Sequence, residues 1–244
     1  MKRYIMIGLL AVFVSCKTET QQNVALPDAK HLLDVAVEKA GGDLFYNAEI
    51  TFRHQGIAYK SHRSDAVFSL QRFLPDTLRT VDILSNSGMV RLQKSEQVPL
   101  DSTNTKNYAA AIEKIHFLAT APFGYLKKAD SLTYLGEVVL ADKSYHKIFQ
   151  QRENGEALVY WIATETLEMH YLAHRFHTDR MQLRFLEVIQ PNTIEGIRFK
   201  NYRVYRPKDP KTALTDLDQA FEAAAMHRLS DVVFQNIAVT VFEN

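Results

Sequence analysis

The chain has 244 residues, 46% hydrophobic and 23% charged, which are the values of a packed domain and exclude wholesale disorder. With 29 basic against 28 acidic side chains it lacks the basic excess of a nucleic-acid-binding protein. Its single cysteine excludes an intrachain disulfide framework and a cysteine-rich zinc site.

The chain opens on Lys2 and Arg3, followed by an uncharged apolar run over 5–14 and the small Ser15. That is the layout of a secretory signal, and a run of about ten residues is short of the ~20 a spanning helix needs. Phe13-Val14-Ser15-Cys16 resembles a bacterial lipobox. The resemblance implies cleavage before Cys16, a diacylglycerol on its thiol and acylation of the new amine. An uncut N-terminal anchor is the alternative. It is less favoured because the only cysteine stands where a lipobox needs it. Cleavage removes Lys2 and Arg3 and no acid, so 29 basic residues become 27 against 28 acidic. Lipid, not charge, would then hold the protein at a membrane, at about 0.8 kcal/mol per buried methylene. Lys17 stands where an aspartate favours inner-membrane retention in the enterobacterial sorting system, so the resemblance implies the outer membrane, on its periplasmic side. The expected organisation is a signal over 1–15, a lipidated cysteine and tether over 16–27, and one domain over 28–244.

Pro27-Asp28 offers a helix start, and Leu32, Leu33, Ala36, Val37 and Ala40 give 28–40 a helical period closed by Gly41-Gly42. Segment 48–54 alternates as a strand, with Ile50 and Phe52 on one face and Glu49, Thr51 and Arg53 on the other. Segments 66–73, 78–84 and 89–93 follow as strands, the last two joined by the Asn86-Ser87-Gly88 turn. Tyr108, Ile112, Ile115 and Ala119 stripe a helix over 105–119, ended by Pro122 and Gly124. Strands are then expected over 132–140, 144–151, 157–163, 167–176, 183–190 and 195–205, a helix over 214–229 and a last strand over 232–242. The fold class expected is mainly β with α: a large curved antiparallel half-barrel sheet whose helices cover the concave side. Such a sheet can enclose an apolar site.

Several stretches resemble a family of uncharacterised predicted lipoproteins from Bacteroidota. They are Asp82-Ile83-Leu84-Ser85-Asn86-Ser87-Gly88 with Arg91, Val159-Tyr160-Trp161-Ile162, Tyr171-Leu172-Ala173, Arg184-Phe185, and Gly196-Ile197-Arg198-Phe199 with Asn201-Tyr202. The likeness runs from about Ala29 to the C-terminus. Ala121-Pro122-Phe123-Gly124-Tyr125 matches only loosely, and His170 and His174 depart from the family's Asp and Tyr. That family is similar in architecture to the lipoprotein-localisation factors LolA and LolB, which bind acyl chains in a half-barrel concavity. The resemblance implies a fold and a ligand class but no functional residues. Some members carry the label deoxyribose-phosphate aldolase. This sequence does not suit it: long runs of strands do not build an alternating strand–helix barrel, and an export signal does not fit internal nucleoside metabolism.

His170, His174 and His177 share a helical face but lack the glutamate of a zinc-protease motif. On a strand His170, Leu172, His174 and Phe176 share one face, and the two histidines line a pocket or the surface. No metal site or cofactor is expected. Arg53, Arg72, Arg91, Arg184 and Arg198 lie in or beside strands, where they either meet an anionic headgroup or occupy the solvated face and pair with Asp82 and Glu187. The second alternative is preferred. The ligand-binding candidates are Phe52, Phe68, Trp161, His170, His174, Arg53 and Arg72, with Trp161 as readily a core anchor. No catalytic residue is identified, since nucleotide-binding and nucleophile-elbow motifs are absent and acylation would consume the Cys16 thiol.

Three functions stay open. The first is a non-catalytic module for an acyl, lipid or other hydrophobic ligand. The second is an assembly lipoprotein with a protein partner and no small ligand, and the third a periplasmic hydrolase.

Overall fold

The computed structural model of the protein describes residues 27–64, 67–125 and 130–242. The expected signal, Cys16 and nearly all of the tether lie outside these residues. Helix α1 (Ala29–Ala40) starts where Asp28 accepts the Lys30 N–H at 2.9 Å, and it buries Leu32, Leu33, Ala36 and Ala40. Gly41 ends it at φ +143°, where a side chain would also come within 3.3 Å of the Ile197 Cα. Only glycine tolerates both conditions.

Fourteen strands form two seven-stranded sheets. The first has the order β14-β1-β2-β3-β4-β5-β6. Its members are β1 (Ala48–His54), β2 (Ile57–Ser64), β3 (Val67–Phe73), β4 (Val81–Ser85), β5 (Gly88–Gln93), β6 (Glu96–Val98) and β14 (Gln235–Val241). The second runs β13-β12-β11-β10-β9-β8-β7. It contains β7 (Ser131–Leu140), β8 (Lys143–Gln151), β9 (Ala157–Ala163), β10 (Met169–Arg175), β11 (Leu183–Ile194), β12 (Ile197–Pro207) and β13 (Met226–Val232). Every described pairing is antiparallel, so the fold is not an aldolase barrel. The chain passes from one sheet to the other at Val233-Phe234. There the Asn201 side chain accepts the Phe234 N–H at 2.9 Å, and His54 Nδ1 lies 3.1 Å from the Val233 carbonyl.

The inner faces of both sheets share one core with α1 and with α2 (Ser102–Thr120), which leads from β6 to β7. This is the expected class of antiparallel sheet with helices over its inner side. The second sheet is buried on its outer face as well. A 3-10 turn and α3 (Leu217–Glu222) cover it, and Leu214 and Leu217 pack with Trp161, Tyr171 and Phe185 into a second core. Strand β9 is therefore buried at every position. Leu158, Tyr160 and Ile162 point inward, and Ala157, Val159, Trp161 and Ala163 outward.

Two local expectations are corrected. Segment 57–64 is a strand, and the helix expected over 214–229 stops at Glu222. Ala224 adopts φ +50°, and Met226–Val232 then pairs with β12. An exposed strand edge outcompetes seven further residues of helix, because β12 supplies the missing hydrogen-bond partners.

Candidate functional site

The inner face is aromatic. Phe52 stacks on Tyr59 at 5.3 Å between ring centroids, and His116 of α2 meets both edge-on at 5.3 and 5.7 Å. Phe45 stacks on Phe123 at 4.2 Å, and Tyr160 donates to Gln150 Oε1 at 2.6 Å. These contacts place Phe52 in the interior.

Helix α2 roofs this face and is held unequally along its length. At its C-terminal end Tyr202 donates to the Leu118 carbonyl at 2.8 Å and Lys200 to the Ala121 carbonyl at 2.7 Å. These two β12 side chains satisfy carbonyls that a helix end leaves open. Residues 116–120 are all buried, whereas 102–111 are exposed or half-buried. The outer half is held by its Asp101 cap, which accepts the Asn104 N–H at 2.8 Å, and by Tyr108, whose ring lies 3.7 Å from the Arg91 guanidinium carbon.

Arg91 belongs to a buried charge cluster under α2. Asp82, fully buried, accepts from Arg72 Nε at 3.0 Å and from Arg91 Nε and Nη2 at 2.6 and 2.9 Å. Burial alone would raise the Asp82 carboxyl, but the hydrogen bonds from Arg91 and Arg72 outweigh it and hold the pKa below the usual range. Arg72 is therefore engaged with Asp82, as the preferred alternative expects. Arg53 lies on the outer face and donates to the Gly56 carbonyl at 2.6 Å.

Arg63, not among the sequence candidates, is the notable inner-face cation. Cross-strand pairing with Ala48 and Phe68 turns it inward, and its guanidinium carbon lies 5.1 Å from the Phe123 ring centroid. Burial pushes its pKa down to about 10, against a raising effect of Tyr46. The same positive charge acts on His116. Burial first, and Arg63 in addition, push that imidazole down to about 3 against the raising effect of the Gln71 carbonyl. Phe68, a predicted candidate, is half-buried directly opposite Arg63.

Trp161 is in the outer core, not the interior, and its Nε1 donates to Asp218 Oδ2 at 3.3 Å beside the Lys147–Asp218 pair at 2.7 Å. His170 and His174 do not share a face. A bulge between Met169 and Tyr171 inserts a residue into the alternation and turns His170 outward while Leu172 and His174 point in. His174 stacks on Phe176 at 4.1 Å and is pushed well below its usual pKa by burial and by the nearby Lys114, Arg184 and Arg152.

His170 lines a cleft of about 360 Å³ with Tyr145, Glu168, Tyr171, Arg198 and Lys200. Tyr145 Oη and His170 Nδ1 are hydrogen-bonded at 3.1 Å, Arg198 is paired with Glu168, and burial pushes Lys200 down to about 8. Among the described residues no group of three or more His, Cys, Asp or Glu is placed to hold a metal ion.

No family model matches the chain, and no curated protein does. Solved structures do. The chain is similar to the LolA superfamily protein NE2245 from Nitrosomonas europaea at 9% identity and TM-score 0.49, over 89% of this chain and 95% of that one. It is similar to a DUF1329 family protein from Desulfovibrio piger at 12% identity and TM-score 0.38, over 86% and 92%. A third is the Mycobacterium tuberculosis lipoprotein LppX, at 13% identity and TM-score 0.26, over 62% and 91%. These are similarities of chain trace at low identity.

Proposed function

We propose that this chain is a lipoprotein anchored through acylated Cys16 to the periplasmic side of the outer membrane, where it acts as a non-catalytic module for an acyl or other hydrophobic ligand. The observation that carries this reading is the inner face itself. Aromatic and aliphatic side chains of both sheets line it, and α2 roofs it, buried at its C-terminal end and half-exposed at its other. A roof fixed at one end can swing without unfolding the sheets, and an acyl chain would replace its apolar contacts at about 25 cal/mol per Å² buried. The groups that could do acid–base work near this face, His116 and His174, are kept neutral by burial.

The test is native mass spectrometry with lipid extraction on the chain from residue 16 to 244, carrying Cys16→Ser and exported behind a non-lipidating signal. A co-purifying acyl species near unit stoichiometry is expected. A clean apo mass with no uptake of added fatty acid or phospholipid overturns the reading and moves the weight to an assembly partner. One feature favours that second reading: edge strand β7 leaves Leu135 and Val139 exposed, the latter 70%, and free strand edges invite pairing with another chain.

A further inference from the structure

We propose that the cleft lined by β8, β10, β11 and β12 is a second ligand site, and that it takes a small hydroxylated acid: a carboxylate or phosphate on a body about the size of a sugar ring. This does not rest on the acyl reading, which concerns the inner face under α2.

Two irregularities of the second sheet shape the cleft. The bulge between Met169 and Tyr171 brings His170 and Tyr171 into one lining, although neighbours on a regular strand point to opposite faces. A second register shift, between Ile189 and Asn192, sets Pro191 in the same lining. Bulges re-aim side chains and collect beside functional sites. At about 360 Å³ the cleft is at the small end of ligand pockets, the size for a compact molecule.

The charges of its wall specify the ligand. Its two carboxylates are already engaged. Glu168 pairs with Arg198, and Glu187 accepts from Arg203 and Tyr205, both at 3.0 Å. No described carboxylate pairs with the other two cations of the lining, Lys143 and Lys200. Lys143 is exposed, whereas Lys200 is 4% exposed and donates to the neutral Ala121 carbonyl at 2.7 Å. Lys143, Arg198 and Lys200 all act on His170, against Glu168 alone in the other direction, and they add to burial in lowering its pKa. A cleft with a surplus of one sign concentrates ions of the other, so the missing charge is negative. The remaining polar groups are two-sided. Tyr145, 1% exposed, is hydrogen-bonded through its hydroxyl to Tyr171 and, at 3.1 Å, to His170 Nδ1. Phenols and a neutral imidazole both donate and accept, which suits hydroxyl groups on the body of the ligand.

Three probes of one shape separate the possibilities: glucose 6-phosphate, gluconate and glucose. They are titrated by calorimetry at low salt into the chain from residue 16 to 244 carrying Cys16→Ser. At least one acid is expected to bind about 10- to 100-fold tighter than glucose, the range of a charge-assisted hydrogen bond. Whichever acid binds tighter distinguishes a phosphate source from a carboxylate source. Lys143→Glu is expected to abolish the preference for acid. Lys39→Glu, the same charge change at an exposed position of α1, is expected to leave it intact. Tyr145→Phe is expected to weaken the acids and leave the melting temperature close to the parent's. Glucose binding as tightly as both acids overturns the assignment, as does failure of both acids to bind at millimolar concentration. So does an acid preference that survives Lys143→Glu or is lost equally in Lys39→Glu. None of these outcomes touches the acyl reading, which the mass of a co-purifying lipid decides separately.

Discussion

Asp82→Ala is expected to destabilise the fold by about 3–5 kcal/mol, the cost of leaving buried charge without its partner. The carboxylate is fully buried and is shared by Arg72 and Arg91, whose side chains are only 13% and 14% exposed. Its removal strands two guanidinium groups under α2. The loss is not the worth of the cluster, since an apolar replacement of the whole set avoids the desolvation that the ions require. Asp82→Leu combined with Arg72→Met and Arg91→Met should therefore recover most of the stability lost by Asp82→Ala. Urea unfolding of the two variants against the parent chain measures this. A loss under 1 kcal/mol for Asp82→Ala would mean that water reaches the cluster. The same variant has a functional consequence. Tyr108 packs on Arg91, so an unanchored Arg91 frees the outer half of α2, and amide exchange should rise over 102–111 before it rises over 112–120.

Much of this fold was legible because its strongest patterns are local. The α1 stripe, the Asp28 start and the Gly41 stop follow from spacing and capping chemistry. The alternation of Glu49, Thr51 and Arg53 against Ile50 and Phe52 set the faces of β1. Strand β2 was missed for a physical reason: its inward residues include Tyr59, Ser61 and Arg63, so it shows no apolar period. That omission hid Arg63. A strand that turns a cation inward reads as a loop, and only its pairing with β1 and β3 shows which way the side chain points. Trp161 and Tyr160 had to face opposite ways on any strand. Which of them faces the helices depends on α3 covering the far side, a long-range fact that no local pattern carries. The histidine pair failed because one bulged residue reverses the alternation, and a bulge leaves no reliable mark in composition.

Acid is expected to weaken this protein well before its carboxylates titrate. His116 and His174 are buried and neutral, the first pushed down to about 3 and the second well below its usual value. Both titrate near 6.5 when unfolded. Between 6.5 and the folded values the unfolded chain binds more protons, so stability rises with pH and falls as pH drops through that window. A group neutral in the fold contributes about 1.4 kcal/mol per pH unit, so His116 alone is expected to remove roughly 2–3 kcal/mol between pH 6.5 and 4.5, with His174 acting in the same direction. The urea midpoint measured across that range reads this directly, and His116→Leu with His174→Leu should flatten the slope. A midpoint unchanged from pH 6.5 to 4.5 in the parent chain would mean that neither imidazole is held neutral by the fold. The two sites differ in what their protonation would do. His174 sits against Phe176 at the end of the second sheet, with Asp179 3.5 Å from its Nδ1 to accept a proton's charge. His116 has only the Gln71 carbonyl at 3.3 Å, and the Arg63 cation acts on it. A proton there places two positive charges under the roof helix with no described acid between them. Opening of α2 is therefore expected to precede global unfolding as pH falls.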